Sequence, residues 1–234
     1  MTLAASPRIH PTALIDPTAE LHETVTVGPY SIIGPAVRID ANTIVGSHVV
    51  IGGYTRIGSG NRGFQFSSVG GGWQDRKSQG EETWLEIGDD NIIREHCTLH
   101  RGTVQDEGLT QIGHRNLLMV NTHIAHDCRI GNDNTFANNA GIAGHVVVGN
   151  SVLVGGNSGV HQFCRLDSYC MVGGGSVILK DVPAFVMASG KLIYKDNNTT
   201  QQAIDLLESE LLESTPEVAY FIDSLRNSTR GIVR

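Results

Sequence analysis

The chain has 234 residues, 40% of them hydrophobic and 18% charged, with a formal net charge of −7. This balance fits a folded chain with one substantial core and excludes a disordered one, and the negative charge without any Lys/Arg-rich run excludes broad nucleic-acid binding. The start, MTLAASPRIHPTA, lacks the basic and apolar regions of a secretory signal, and no run of about 18 apolar residues follows, so a cytoplasmic protein with no membrane span is expected.

From Ile9 onward an aliphatic residue recurs every six positions: Ile9, Ile15, Leu21, Val27, Ile33, Ile39, Val45, Ile51 and Ile57. The register breaks after Asn61, resumes at Ile87, Ile93 and Leu99, and after a second gap runs unbroken from Ile112 to Ile178. The second position of the unit is often Gly, as in Gly28, Gly46, Gly113 and Gly149, and the fifth is small or β-branched, as in Thr43, Thr122 and Ala140. Six is the wrong period for simple strand alternation. A helix would carry repeated mid-helix glycines, each costing about 1 kcal/mol. The pattern predicts a three-sided parallel prism in which the aliphatic residue points inward, Gly permits the corner and the small residue fills the remaining core. Three units close a coil, and successive coils stack at a spacing of about 4.8 Å.

Cys97, Cys128, Cys164 and Cys170 all fall on the small fifth position. Cys128 and Cys164 share a column two coils, about 9.6 Å, apart, beyond disulfide reach. All four read as buried free thiols, not metal ligands.

Two polar insertions interrupt the stack, at 70–86 and at 105–111. Loops leaving a rigid scaffold are where binding and chemistry concentrate. After Pro183 the register ends. Residues 200–214 place Ala203, Ile204, Leu207, Leu211 and Leu212 on one helical stripe. Thr215-Pro216-Glu217 then supplies a cap, a first-turn proline and an early acid for a second helix. The division is a β-helix domain over 1–190 and a short α-helical region over 191–234, with both helices packed on the prism.

Five of the ten histidines, His100, His123, His126, His145 and His161, gather on one strip when coils are aligned; His10, His22, His48, His96 and His114 read as surface groups. Clustered imidazoles suit either a general base or a metal site, and a three-histidine zinc centre of the carbonic-anhydrase-like kind is the rival reading.

The hexad pattern resembles the hexapeptide-repeat acyltransferases, which implies an all-β solenoid, a left-handed parallel β-helix that forms homotrimers. More closely, HRGTVQDEGLTQIG, NLLMVNTHIAHDCRIGN, NNAGIAGHVVV, GGNSGVHQFC and MVGGGSV resemble the UDP-N-acetylglucosamine O-acyltransferases of lipid A synthesis. The resemblance covers about residues 8–190 and resumes at TPEVAYFIDSLRNSTRGIVR. It implies transfer of a (3R)-3-hydroxyacyl group from acyl carrier protein to the sugar 3-hydroxyl, with no cofactor beyond that thioester co-substrate and no metal. His126 would be the base, Asp127 its orienting partner and Gly144 the source of an oxyanion N–H. His123, His145 and Gln162 would line the sugar-nucleotide pocket with Gln74, Asp75 and Lys77 of the first insertion. His161 and Gly174 would meet the acyl chain. In a trimer that insertion would lean over a neighbour's histidine strip, so that sites are shared.

The family carries a longer connection after the last coil, whereas here Gly190 passes almost directly into KLIYKDNNTT, and no nucleotide-phosphate ligand is assigned there. An acidic carrier needs a basic docking surface, for which Lys191, Lys195, Arg226 and Arg230 are the candidates. A trimeric binding protein without turnover stays open as a third reading beside the zinc enzyme.

Overall fold

The computed structural model describes residues 8–72, 74, 80–188, 204 and 216–232. Their strands form three parallel sheets of nine, eight and nine strands, the three faces of a prism. The first face runs from Leu14–Ile15 to Val177–Ile178, the second from Glu20–Leu21 to Arg165–Leu166, and the third from Thr26–Val27 to Met187–Ala188. Each strand pairs with the one a coil away, as in His123↔Gly141 and Ile124↔Ile142. The first-position aliphatics fill the interior: Leu99, Ile124, Ile142 and Val154 have no exposed surface. The four cysteines are buried and free; burial pushes the thiols of Cys128 and Cys170 up to about 12, so they are inert at neutral pH.

The corner has a different chemistry from the one expected. The left-handed residue is the fourth of the unit, among them Asn42 (φ 60°), His96 (φ 60°), Asp127 (φ 58°), Asn139 (φ 61°) and His145 (φ 60°). Asn, Asp and His accept this region more readily than other non-glycine residues. The second-position glycines are needed for coil stacking instead. A Cβ on Gly28 would lie 2.7 Å from the backbone of Gly46, and one on Gly113 2.6 Å from the carbonyl of Gly131.

The ladder is also more continuous than the aliphatic register indicates. The strands Arg62–Gly63 and Ser68–Gly71 carry it past Asn61, with Gly63 standing where an aliphatic residue is usual. The first insertion is correspondingly shorter than 70–86, because Gly70 and Gly71 end one strand and Trp84–Ile87 is the next. Nor does the stack stop at Pro183: Val182 bridges Leu166, and Met187–Ala188 pairs with Met171–Val172. Among the surface histidines, His48 stacks between Tyr30 and Phe66 and His96 stacks on Phe66, in a corner ladder with ring centroids 5.1–5.3 Å apart.

Helix α1, Pro216–Arg226, begins at the expected proline. Ile222 and Leu225 bury against Ile204 and Ile232, and the Ser224 hydroxyl accepts the Ala184 N–H at 2.9 Å. The buried Asp181 then receives the Ser228 hydroxyl and the N–H groups of Thr229 and Arg230, which ties the following segment to the last coil. Of the first predicted helix, only Ile204 lies within the described residues; it is helical and buried.

Candidate active site

On the first face, parallel pairing aligns the outward positions Thr98, His123, Gly141, Gly159 and Val177 in one column. An open groove of about 490 Å³ follows it. Its polar end is formed by His100, His123 and His126 with Gln74, and its far end by His161, Val177 and Leu179. A Cβ on Gly141 or Gly159 would meet nothing within 4 Å, so these glycines leave the floor between the two ends open.

At the polar end, His126 Nδ1 donates to Asp127 Oδ2 at 2.8 Å. A carboxylate can only accept, so this bond makes Nε2 the basic nitrogen of the neutral ring. Asp127 is buried, and a buried carboxylate is tolerated only with compensating donors. Besides the imidazole it has two: the Thr103 N–H at 2.8 Å on Oδ1 and the Thr103 hydroxyl at 2.7 Å on Oδ2. Its own N–H donates to the Thr110 hydroxyl at 2.7 Å. The left-handed corner at residue 127 thus turns its side chain under the ring of residue 126.

One coil on, Gly144 packs against His126: a Cβ there would lie 2.5 Å from its Cε1. The third position of a unit stands outside the ladder, which is why Pro29 and Pro35 can occupy it. Among the described residues the Gly144 N–H has no backbone acceptor. His145 stacks on Phe163, with centroids 4.5 Å apart, and stands edge-on to His126 at 5.1 Å. Its Nδ1 donates to Asp106 Oδ2 at 2.9 Å, and its Nε2 lies 3.8 Å from Asp127 Oδ2. His123 Nδ1 bonds the Thr98 hydroxyl at 2.7 Å, and its ring meets His100 edge-on. Burial, with His123 and His126 nearby, pushes His100 down to about 4, and burial lowers His123 as well. Both rings are therefore held towards the uncharged form beside an apolar groove.

The structure brings His126, Asp127, Gly144, His123 and His145 together, with His161 farther along the groove and the exposed Gln74 at its mouth. Asp75 and Lys77 lie outside the described residues. Gln162 and Gly174 are exposed and do not line the groove; the Gln162 carbonyl accepts from Arg230 and from His161 Nδ1. Thr103 and Asp106 are functional neighbours that the repeat register does not mark, because Thr103 sits just before the second insertion and Asp106 within it. The three-histidine set of a zinc centre is not assembled among the described residues. Among the described residues the cluster with donor atoms within 4.8 Å of each other is His126, Asp127 and His145, and two of its donors are bonded to each other.

The profile of the bacterial transferase hexapeptide (six repeats) matches residues 109–144. The acyl-[acyl-carrier-protein]–UDP-N-acetylglucosamine O-acyltransferases of Psychrobacter sp. (strain PRwf-1) and Psychrobacter arcticus are 52% and 60% identical to the chain, each covering 97% of it and 99% of the relative. The aligned span, 257 positions, exceeds the 234 residues present, so these relatives carry at least 23 positions without a counterpart here. Among solved structures, LpxA from Acinetobacter baumannii superposes with a TM-score of 0.93 at 56% identity, covering 97% of this chain and 100% of that one. The UDP-N-acetylglucosamine O-acyltransferase of Moraxella catarrhalis does so with a TM-score of 0.91 at 47% identity and the same coverage. The prism is accordingly a left-handed parallel β-helix. A histidine–aspartate pair at the head of an apolar groove, on a fold shared this closely over almost the whole chain, means that the chain belongs to the acyl-[acyl-carrier-protein]–UDP-N-acetylglucosamine O-acyltransferase family.

Proposed function

We propose that the chain moves a (3R)-3-hydroxyacyl group from an acyl carrier protein thioester to the 3-hydroxyl of UDP-N-acetylglucosamine, the first step of lipid A synthesis. The His126–Asp127 pair, clamped by Thr103 at the polar end of the groove, carries this reading. His126 Nε2 takes the hydroxyl proton as the sugar oxygen attacks the thioester carbonyl. Asp127 holds the tautomer and stabilises the imidazolium that forms. The Gly144 N–H receives the oxyanion of the tetrahedral intermediate. Collapse breaks the carbon–sulfur bond, and the proton on His126 passes to the departing carrier thiolate. The acyl chain runs over Gly141 and Gly159 toward Val177 and Leu179, with His161 beside it. His123, His145 and Gln162 hold the sugar nucleotide together with Gln74, Asp75 and Lys77. No step requires a metal or a cofactor beyond the carrier-bound thioester.

A cytoplasmic homotrimer with shared sites completes the reading, residues 1–190 forming the catalytic domain and 191–234 the helical region. Its subunit contact is assigned to the outward column of the third face, where Leu153, Met171 and Met187 stand exposed in line. No helix among the described residues is long and apolar enough to cross a membrane. Arg226 and Arg230, with Lys191 and Lys195 outside the described residues, are the candidates for meeting an acidic carrier.

The test is direct. Purified protein incubated with 3-hydroxyacyl carrier protein and UDP-N-acetylglucosamine should give the O-acylated sugar nucleotide by mass spectrometry. Absence of product with any of several acyl lengths overturns the proposal.

A further inference from the structure

The second insertion leaves the prism beside His126 and is held tightly there. The Thr103 carbonyl accepts the N–H groups of Asp106 at 3.2 Å and Gly108 at 3.0 Å. Arg129 reaches across to the Glu107 carboxylate at 2.7 Å and to the Leu109 carbonyl. The same turn therefore delivers two groups to the reaction centre from opposite ends: Thr103, which clamps Asp127, and Asp106, whose Oδ2 accepts from His145 Nδ1.

We infer that Asp106 is a positioning residue for the sugar-nucleotide side of the site, acting through His145. The ring of His145 stacks on Phe163 and stands at right angles to the ring of His126, so stacking alone leaves it free to flip about χ2, which exchanges Nδ1 with Cδ2 and Nε2 with Cε1. A carboxylate on Nδ1 removes that freedom. It fixes Nδ1 as the protonated nitrogen and turns Nε2 toward Asp127 and the space above His126. The bond to His145 also holds the Asp106 carboxyl below its ordinary range, so the acceptor is ionised throughout the working pH range and the hydrogen bond is charge-assisted. Substrate meeting His145 then finds one nitrogen in one orientation, the condition under which a polar contact contributes to binding without an ordering cost. This inference rests on the acyl-transfer reading for its kinetic consequence, but not for the contact itself.

Three measurements on the full chain test it: the steady-state constants of Asp106→Ala and Asp106→Asn, their melting temperatures, and the ¹⁵N spectrum of histidine-labelled protein with His145 assigned by His145→Gln. Loss of one charge-assisted bond, by Asp106→Ala, should raise the KM for UDP-N-acetylglucosamine about tenfold and change kcat by less than about threefold. The His145 nitrogens should lose their single-tautomer pattern. Asp106→Asn, which keeps an acceptor oxygen, should return KM to within about threefold of the parent. An unchanged KM with an unchanged His145 spectrum in Asp106→Ala overturns the inference, as does a loss that melting shows to be unfolding and that Asp106→Asn does not rescue. If the parent protein makes no product, the acyl-transfer reading fails, and the His145 spectrum alone decides whether Asp106 holds that ring.

Discussion

Gly144 lies against the face of the His126 imidazole so closely that a Cβ on it would stand 2.5 Å from Cε1 and 2.7 Å from Nε2. The absence of a side chain at residue 144 is therefore what allows the base to occupy its place. Gly144→Ala should displace the ring from Asp127 and reduce kcat by about 10²-fold or more, since a misplacement of about 1 Å is enough for such a loss. The melting temperature should fall by only a few degrees, because a neighbouring ring at a half-buried corner can give way. Wild-type turnover in Gly144→Ala would show that the ring has other productive positions.

His126→Ala removes the base and should lower kcat by roughly 10²–10⁴-fold, the range of general-base contributions. Asp127→Asn keeps the shape but can donate to Nδ1 and so present the wrong tautomer, and should fall within a similar range. Single-turnover assays with saturating donor give these ratios. Full turnover in His126→Ala would exclude it as the base.

Acid should weaken the fold through the histidine end of the groove. Folding lowers His100 to about 4 from an ordinary value near 6.5, so between these pH values the unfolded chain binds more protons than the folded one. Stability is then complete above about pH 7 and is lost as pH falls through the window toward 4. By pH 5 the loss from this group should be on the order of 1 kcal/mol, a few degrees in Tm. His100→Gln should flatten the Tm profile between pH 7 and pH 5; equal slopes in parent and variant would contradict the assignment.

Gly159 faces the groove with no atom within 4 Å of where its Cβ would be. Gly159→Leu should therefore fold normally and occupy space otherwise available to the acyl chain. Supplied with mixed donors, it should shift the product toward shorter chains, by about tenfold in the ratio of donors that differ by two or more methylenes. An unchanged product distribution would place the chain elsewhere.

How much of the fold and the site is legible in the sequence differs from residue to residue. The six-residue recurrence from Ile9 onward identifies the prism, because each aliphatic must reach the same interior and only one period lets it do so. The strip of His100, His123, His126 and His145 follows from the same register. Gly63 breaks the aliphatic count yet keeps its place in the ladder, since a parallel strand is held by backbone pairing that any residue can make. The role of the second-position glycines is misread for a related reason. Their crowding comes from a coil 18 or more residues away, and a local rule sees only the turn.

The sequence by itself determined the repeat, the parallel prism, the buried thiols, the helix beginning at Pro216 and the motif that marks His126. Each depends on spacing along the chain or on neighbours within one unit. Tertiary structure alone decided that the left-handed residue is the fourth of the unit, that Thr103 clamps Asp127, that Gly144 fits against the base and that Asp106 reaches His145. The last three are contacts across coils, 18 to 39 residues apart, and two of them are made by residues at the second insertion that carry no period. The composition of a loop does not encode direction; the scaffold on which it closes supplies it.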